Sequence, residues 1–224
     1  MVTETTIRLN DTQSVSALLD VPPRVMACFV LAHGAGAGMR HPSMAAVATE
    51  LLAFDIATLR YQFPYMERGS KRTDPAELCH ATVRAAVTAA ARLVPDVPLF
   101  AGGRSFGGRM TSQAQALEPL PGVRGLIFLA FPLHPAKKPA DTRGEHLLKV
   151  NTPLLFLQGS RDELAQLGLL EPLVARLGSR ATLKVFENAD HSFHVPARSG
   201  RTDAQVRSDV LQALAGWMRP VMGA

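Results

Sequence analysis

The sequence predicts an α/β fold in which a mostly parallel β-sheet lies between two layers of helices. Short apolar runs of strand length alternate along the chain with segments whose apolar residues recur at helical spacing. Several of these runs are continuously apolar, as expected for strands covered on both faces. A glycine-rich turn at residues 102–108 joins one run directly to a helical segment. Because 224 residues suffice for one such domain, we expect a single domain over residues 1–224.

The first half of the chain contains four predicted strands and two predicted helices. The strands are residues 5–9, 14–20, 25–32 and 55–60. The first two form a hairpin at one edge of the sheet. Ser43 is the predicted N-cap of the first helix, and Pro75 and Pro95 bound a second, longer helix. The apolar positions at helical spacing are Met44, Val47, Leu51 and Phe54 in the first helix and Val83, Val87, Ala90 and Val94 in the second.

The second half continues the alternation. The predicted strands are the run that ends near Ala101 and residues 125–130, 153–158 and 181–186. Two further helices carry their apolar positions at Met110, Ala114 and Leu117 and at Val206, Val210, Leu214 and Trp217. The segment 132–152, between two strands, is too short for a large cap domain. We therefore expect an open site at the sheet edge.

Composition and charge exclude several classes of protein. The chain is 47% hydrophobic and 19% charged, and no apolar run reaches the roughly 20 residues of a membrane span. The net charge is +5, but the basic residues are scattered, and neither zinc-ligand spacing nor an aromatic RNA-binding motif is present. We expect no nucleic acid, membrane, metal or other cofactor as a partner, while the oligomeric state stays open, a homodimer included.

The N-terminus and the cysteines bear on the cellular compartment. The first residues have neither the basic start nor the apolar core of a signal peptide. Cys28 lies in a strand-like run and Cys79 in a helical pattern, which does not indicate a disulfide framework. The sequence therefore predicts a cytoplasmic protein.

The glycine-rich turn contains Gly103-Arg104-Ser105-Phe106-Gly107, which matches G-x-S-x-G in a strand–turn–helix context. A strand that reverses sharply into a helix at Ser105 strains that residue, and glycines two before and two after it avoid collisions. The serine Oγ is then exposed beside the amide donors of a helix N-terminus, as a nucleophile must be. The alternative is a simple tight turn. A phosphate-binding loop would require lysine where Gly108 stands.

A second glycine-rich loop, His33-Gly34-Ala35-Gly36-Ala37-Gly38, follows the strand at 25–32. A dinucleotide-binding motif would require glycine where Met39 stands, and an acidic residue where the next strand ends in Arg60. The other interpretation is an oxyanion loop, whose donors would be the amides of Ala35 and Phe106. His33 is interpreted as a structural hydrogen-bonding group.

Two more strand ends carry residues suited to catalysis. Asp162 follows the strand at 153–158, and His191 follows the strand at 181–186. With Ser105 they give the chain order nucleophile, acid, base that is found in one large class of α/β enzymes. Alternatively, Asp162 caps the following helix and His191 lies on a solvated surface. His194 and Asp190 are the alternative base and orienting carboxylate.

At this point the chain resembles a known family. The motifs are His33-Gly34-Ala35-Gly36-Ala37, Phe63-Pro64-Tyr65-Met66-Glu67-Arg68-Gly69, Gly103-Arg104-Ser105-Phe106-Gly107-Gly108, Pro132-Leu133-His134-Pro135, Gly159-Ser160-Arg161-Asp162 and Asp190-His191-Ser192-Phe193. They resemble the dienelactone-hydrolase-like α/β-hydrolases, and most closely a small group of predicted hydrolases with mammalian members. The resemblance implies a three-layer α/β/α sandwich and a Ser–Asp–His site, but no substrate. Some relatives are subunits of larger assemblies, and the dienelactone enzymes themselves have cysteine where this chain has Ser105.

Residues just beyond the strand ends are candidates for contact with a substrate. They are Tyr61, Phe63, Tyr65, Arg104, Phe131, His134 and Phe193. The aromatic residues would line an apolar pocket, although core packing explains several of them as well. Two roles stay open for Arg104: attraction of a carboxylate-bearing ester, together with Lys71, Arg72, Lys137 and Lys138, or pairing within the scaffold.

The sequence as a whole predicts a serine hydrolase that cleaves carboxylic esters or thioesters of small acyl substrates. Ser105 is the predicted nucleophile, His191 the base and Asp162 its orienting acid. The alternative from another class is a non-catalytic hydrolase-fold subunit that binds other proteins. The presence of all three triad residues and both oxyanion loops favours the enzyme.

Overall fold

The computed structural model describes residues 2–223, which contain one eight-stranded sheet. The strands are β1 (Val2–Arg8), β2 (Ser14–Asp20), β3 (Ala27–Ala32), β4 (Ile56–Tyr61), β5 (Leu99–Arg104), β6 (Val123–Leu129), β7 (Leu154–Gly159) and β8 (Ala181–Phe186). Met1 and Ala224, the two ends of the predicted domain 1–224, lie outside the described residues.

The strand order across the sheet is β1-β2-β4-β3-β5-β6-β7-β8. The strands from β4 to β8 along this order pair in parallel, while β2 is antiparallel to both β1 and β4. The predicted mostly parallel sheet with a hairpin at one edge is thus confirmed. Because parallel strands share one carboxyl edge, the loops that follow β3, β5, β7 and β8 meet there.

Helices cover both faces of the sheet, which confirms the predicted three-layer sandwich. They are α1 (Pro42–Leu51), α2 (Pro64–Glu67), α3 (Ala76–Leu93), α4 (Phe106–Leu117), α5 (Leu167–Leu177) and α6 (Asp203–Met222). The buried residues of α1 and α6 form one core with one sheet face, and those of α3, α4 and α5 form a second core with the other face. Between β6 and β7 lies only the short 3₁₀ segment Thr142–Lys149, so no large cap covers the sheet edge.

The start of α1 differs from the prediction that Ser43 is its N-cap. The N-cap is His41, whose side chain accepts a hydrogen bond from the Ser43 amide, and Pro42 occupies the first helical position. Proline suits that position because its fixed φ is helical and its missing N–H would have no partner there. The prediction was therefore wrong by two residues.

Two further findings concern the helices and the cysteines. Within residues 2–223, every helix is too short or too polar to span a bilayer. Cys28 and Cys79 are free and buried, and burial raises the pKa of each thiol to about 12. Thiols with such a pKa stay protonated and unreactive at neutral pH.

Candidate active site

Ser105 lies in a strained turn between β5 and α4. Its backbone angles are φ 49° and ψ −115°, a conformation that L-residues rarely adopt. A Cβ at Gly103 would lie 2.3 Å from the Ala32 carbonyl oxygen, and one at Gly107 would lie 2.6 Å from the His33 oxygen. Strand β3 and the loop after it are therefore packed so closely against the turn that only glycine fits on either side of Ser105.

Replacing Gly107 with alanine is expected to lower the free energy of unfolding by about 1–3 kcal/mol, because the added methyl group meets backbone atoms that cannot move away freely. Urea denaturation measures this change. Gly216→Ala is the matched control, since a Cβ there meets nothing within 4 Å. Gly216 lies inside α6, where alanine is expected to add about 0.5–1 kcal/mol. Equal stability changes for the two variants would contradict the steric explanation.

The three predicted catalytic side chains meet at the carboxyl edge of the sheet. His191 Nε2 lies 2.8 Å from Ser105 Oγ, and His191 Nδ1 lies 2.7 Å from Asp162 Oδ2. The imidazole is 24% exposed, whereas the Asp162 carboxylate is fully buried. When Nδ1 donates its proton to the carboxylate, Nε2 is unprotonated and faces the Ser105 hydroxyl as an acceptor. This order of contacts is the one that a nucleophile, a base and a residue that orients the base require.

Further donors fix the Asp162 carboxylate. Gln158 Nε2 donates to Oδ2, and the Leu164 amide donates to Oδ1 at 2.8 Å. Gln158 is itself fixed, because its Oε1 accepts the Phe131 amide at 3.0 Å. Sequence reasoning did not single out Gln158, although a polar residue at the end of a continuously apolar strand was a signal.

The loop after β7 and the loop after β8 are joined directly. The Arg161 amide donates to the Ala189 carbonyl at 2.8 Å, and the Asn188 amide donates to Ser160 Oγ at 2.9 Å. A Cβ at Gly159 would lie 2.3 Å from the Ala189 oxygen, so the two loops touch at backbone distance. These contacts bring Asp162 and His191 together.

The alternative residues have other partners. His194 Nδ1 lies 2.9 Å from Asp203 Oδ2, and this carboxylate raises the histidine pKa. Asp190 Oδ1 accepts the amides of Ser192 and His194, which shapes the loop that carries His191. Asp162 does not cap the next helix, since α5 begins after Gln166.

The loop after β3 faces the turn that carries Ser105. A Cβ added to Gly34 would lie 4.0 Å from Ser105 Cβ. The amides of Ala35 and Phe106, the predicted oxyanion donors, make no hydrogen bond with any other part of residues 2–223. Both are thus available to a ligand.

His33 supports this loop from within, as the sequence predicts. Its Nε2 accepts the Phe63 amide at 3.0 Å, and its Nδ1 lies 2.8 Å from the Gly34 carbonyl, which requires the tautomer with the proton on Nδ1. Burial lowers the His33 pKa to about 4, so the ring is neutral at pH 7. A neutral, fully hydrogen-bonded ring is a structural group.

Tyr65 also holds this loop. Its hydroxyl donates to the Ala35 carbonyl at 3.0 Å, and burial raises the pKa of the hydroxyl, which keeps it protonated. Tyr65→Phe is expected to lower kcat about tenfold with little change in KM, because the Ala35 carbonyl loses the hydrogen bond that holds this residue, and with it the neighbouring Ala35 N–H, in position. Steady-state kinetics measures both constants. Tyr61→Phe is the control, since the buried Tyr61 hydroxyl makes no hydrogen bond to this loop; equal effects would contradict the assignment.

Five of the predicted substrate-binding residues are correctly located near the strand ends but are buried. They are Tyr61, Phe63, Tyr65, Phe131 and His134, each at most 1% exposed. Phe63 and Tyr65 pack against the ring of Phe106. Side chains without accessible surface cannot contact a substrate. The expectation that these five residues bind the substrate is therefore corrected: they are part of the core beneath the strand-end loops.

The other two predicted substrate-binding residues, Arg104 and Phe193, line a cavity of about 410 Å³ between α1 and α6. Arg104 also donates to the His191 carbonyl at 3.3 Å, so it contacts the scaffold as well as the cavity. A second cavity, of about 580 Å³, opens beside His191 and is lined by Asp190, His194 and Arg161. Space for ligands of ordinary size therefore exists on both sides of the histidine loop.

Comparison with known proteins agrees with this architecture. A dienelactone hydrolase from Anabaena variabilis superposes with a TM-score of 0.79 at 19% identity, covering 98% of this chain and 97% of that one. An α/β serine hydrolase homologue from Coxiella burnetii gives 0.75 at 18%, covering 95% and 97%. An α/β serine hydrolase without a lid from Xanthomonas campestris gives 0.74 at 20%, covering 96% and 94%. At these identities the likeness establishes the fold.

The sequence itself carries the family assignment. Residues 25–219, most of the chain, match the family described as "Alpha/beta hydrolase domain". Together with the structural neighbours, this match confirms the resemblance to dienelactone-hydrolase-like proteins that the motifs predict. The chain belongs to the α/β-hydrolase family.

Proposed function

We propose that the protein is a serine hydrolase that cleaves carboxylic esters or thioesters of small acyl substrates through an acyl-enzyme. The observation that carries the proposal is the hydrogen-bonded chain from Ser105 Oγ through His191 to the buried Asp162 carboxylate, with contacts of 2.8 and 2.7 Å. Membership of the α/β-hydrolase family supports it. No cofactor takes part in the proposed reaction.

In the first half-reaction, Ser105 Oγ attacks the acyl carbonyl carbon while its proton passes to His191 Nε2. Asp162 holds the imidazole by Nδ1 and stabilises its cationic form. The amides of Ala35 and Phe106 donate to the oxyanion of the tetrahedral intermediate, a contribution for which each donor is typically worth about 10²–10³ in kcat. The C–O or C–S bond then breaks, and the leaving group takes the proton from His191.

In the second half-reaction, water attacks the acyl-serine carbonyl. His191 accepts a proton from this water and returns it to Ser105 Oγ as the acid leaves. The open sheet edge gives water access to the site. The same residues thus serve both halves of the reaction.

Two substrates test the proposal. One is 4-nitrophenyl butyrate, and the other is a butyryl thioester whose hydrolysis is measured by the thiol that it releases. Stopped-flow measurements are expected to show a burst of 4-nitrophenol with an amplitude close to the enzyme concentration, followed by steady turnover, because an acyl-enzyme accumulates when deacylation is the slower half-reaction. Folded protein that cleaves neither substrate would contradict it. The non-catalytic interaction subunit would then be the better description.

A further inference from the structure

Arg104 is the last residue of β5 and directly precedes Ser105. Its side chain lines the cavity of about 410 Å³ between α1 and α6. The residue is half-buried, yet it forms no ion pair with a carboxylate of residues 2–223. Within this part of the chain its guanidinium donates one hydrogen bond, to the backbone carbonyl of His191 at 3.3 Å. The residue next to the candidate nucleophile thus binds the backbone of the candidate base.

The loop that carries His191, residues 190–194, is closed by hydrogen bonds within itself. The Asp190 amide donates to the His194 carbonyl at 2.9 Å, and the Phe193 amide donates back to the Asp190 carbonyl at 3.0 Å. The Asp190 side chain accepts two further amides of the loop. Because these bonds fix the shape of the loop and not its place in the protein, contacts from outside decide where His191 lies.

Arg104 links this loop to the turn that carries Ser105. Among the residues that the structure describes, its guanidinium is the one group outside the loop that hydrogen-bonds to the loop backbone. Asp162 also contacts the loop, but it holds the imidazole of His191 and not the backbone. The guanidinium is always charged, and a hydrogen bond from a charged donor is about twice as strong as a neutral one.

The position of the His191 backbone matters because the histidine side chain can rotate. If the backbone shifts, the imidazole can keep its bond to Asp162 while Nε2 moves away from Ser105 Oγ, which now lies 2.8 Å from it. A displacement of about 1 Å between reacting groups can lower a rate about 10²-fold. A hydrogen bond to the carbonyl of His191 itself opposes such a shift.

We propose that Arg104 is a positioning residue, which binds the His191 carbonyl and thereby holds the base at the distance from Ser105 that proton transfer requires. This inference rests on the proposed function, since it assigns a further residue to the same reaction. Arg104 acts through His191 and requires no contact with the substrate.

Arg104→Met tests the proposal, because it keeps an unbranched side chain and removes the donor. For 4-nitrophenyl butyrate we expect kcat to fall about 10- to 10²-fold while KM stays within about threefold. The rate constant of labelling by a fluorophosphonate is expected to fall by a similar factor. Arg104→Lys keeps a charged donor on a different head group, and its kcat is expected to lie between that of Arg104→Met and that of the wild type.

Arg207→Met is the matched control. Arg207 lines the same cavity, but its guanidinium donates to Glu50 and so joins α6 to α1. We expect this variant to lower the melting temperature and to keep kcat within about twofold of the wild-type value. If Arg104 had a merely structural role, the two methionine variants would behave alike.

Arg104→Ala provides a second test, which also decides the question if Arg104→Met does not fold. The missing side chain leaves space that is continuous with the cavity, so a free guanidinium ion can enter. Millimolar guanidinium chloride is expected to raise kcat of this variant at least about fivefold, whereas sodium chloride at the same ionic strength is not. The wild type and Arg207→Ala are expected not to respond.

A third measurement does not depend on turnover. An imidazole N–H that is hydrogen-bonded to a carboxylate gives a far-downfield proton resonance, which reports the contact of His191 with Asp162. We expect this resonance to shift or broaden in Arg104→Met, and the amides of residues 190–194 to exchange faster with solvent. In Arg207→Met both signals are expected to stay as in the wild type.

Unchanged kcat in Arg104→Met, a loss of kcat equal to that in Arg207→Met, or folded Arg104→Ala that guanidinium does not rescue would each overturn the inference. A wild-type protein that hydrolyses no ester, but whose histidine resonance responds to Arg104→Met, would refute only the proposed function. The two failures are therefore distinguishable.

Discussion

Replacing Ser105 with alanine is expected to lower kcat by about 10⁴- to 10⁶-fold while the protein stays folded. The substitution removes the proposed nucleophilic atom, whereas the backbone that holds it is fixed by the glycines around it and by the Ser105 amide, which donates to the Leu129 carbonyl at 3.0 Å. Activity against 4-nitrophenyl butyrate measures the loss, and circular dichroism with thermal melting shows whether the fold is kept.

Ser112→Ala is the matched control for this prediction. Ser112 Oγ lies 2.7 Å from His146 Nε2, so it forms a second serine–histidine contact, but it is buried within α4 and also donates to the Arg109 carbonyl. Ser112 lies inside a regular helix and not in a strained turn. We therefore expect Ser112→Ala to lower the free energy of unfolding by about 1 kcal/mol and to keep kcat within a few-fold of the wild-type value. Loss of activity in Ser112→Ala with retention in Ser105→Ala would contradict the assigned nucleophile.

Replacing Asp162 with asparagine is expected to lower kcat about 10⁴-fold. The carboxylate accepts hydrogen bonds from His191, Gln158 and Leu164, all of which are donors. Asparagine offers one acceptor oxygen, and its NH₂ group would face one of these donors or force His191 into the tautomer that protonates Nε2. A histidine in that tautomer cannot take the proton of Ser105.

Asp190→Asn is the control for Asp162→Asn. Asp190 is next to His191 in the chain, but it accepts only backbone amides through one oxygen, which asparagine can replace. We expect its kcat within about tenfold of the wild type. Steady-state kinetics from pH 6 to 9 compares the two variants. A larger loss of kcat in Asp190→Asn than in Asp162→Asn would show that Asp190, and not Asp162, orients the histidine.

The sequence predicts the fold well because its signals are local. Continuous apolar runs mark the parallel strands, and Gly103 and Gly107 mark the one place where β3 approaches the Ser105 turn at backbone distance. The sites of Ser105, Asp162 and His191 follow from the same signals, since each comes after a strand and all strands from β3 onward share one carboxyl edge.

The substrate pocket could not be read in this way. Whether an aromatic residue beyond a strand faces a cavity or the core depends on packing between distant elements, and the rings of Phe63 and Tyr65 turn inward to support Phe106. For Arg104 the sequence left two roles open, and the structure shows that it both lines the cavity between α1 and α6 and donates to the His191 carbonyl.

The central claim is that the surroundings of Ser105 make it a nucleophile. Intact-mass measurement after treatment with a fluorophosphonate tests it most directly, because this reagent reacts with a serine only where the turn, the base and the oxyanion donors act together. We predict one adduct on the wild-type protein and on Ser112→Ala, and none on Ser105→Ala. Folded wild-type protein that forms no adduct, or an adduct that persists in Ser105→Ala, would contradict the account.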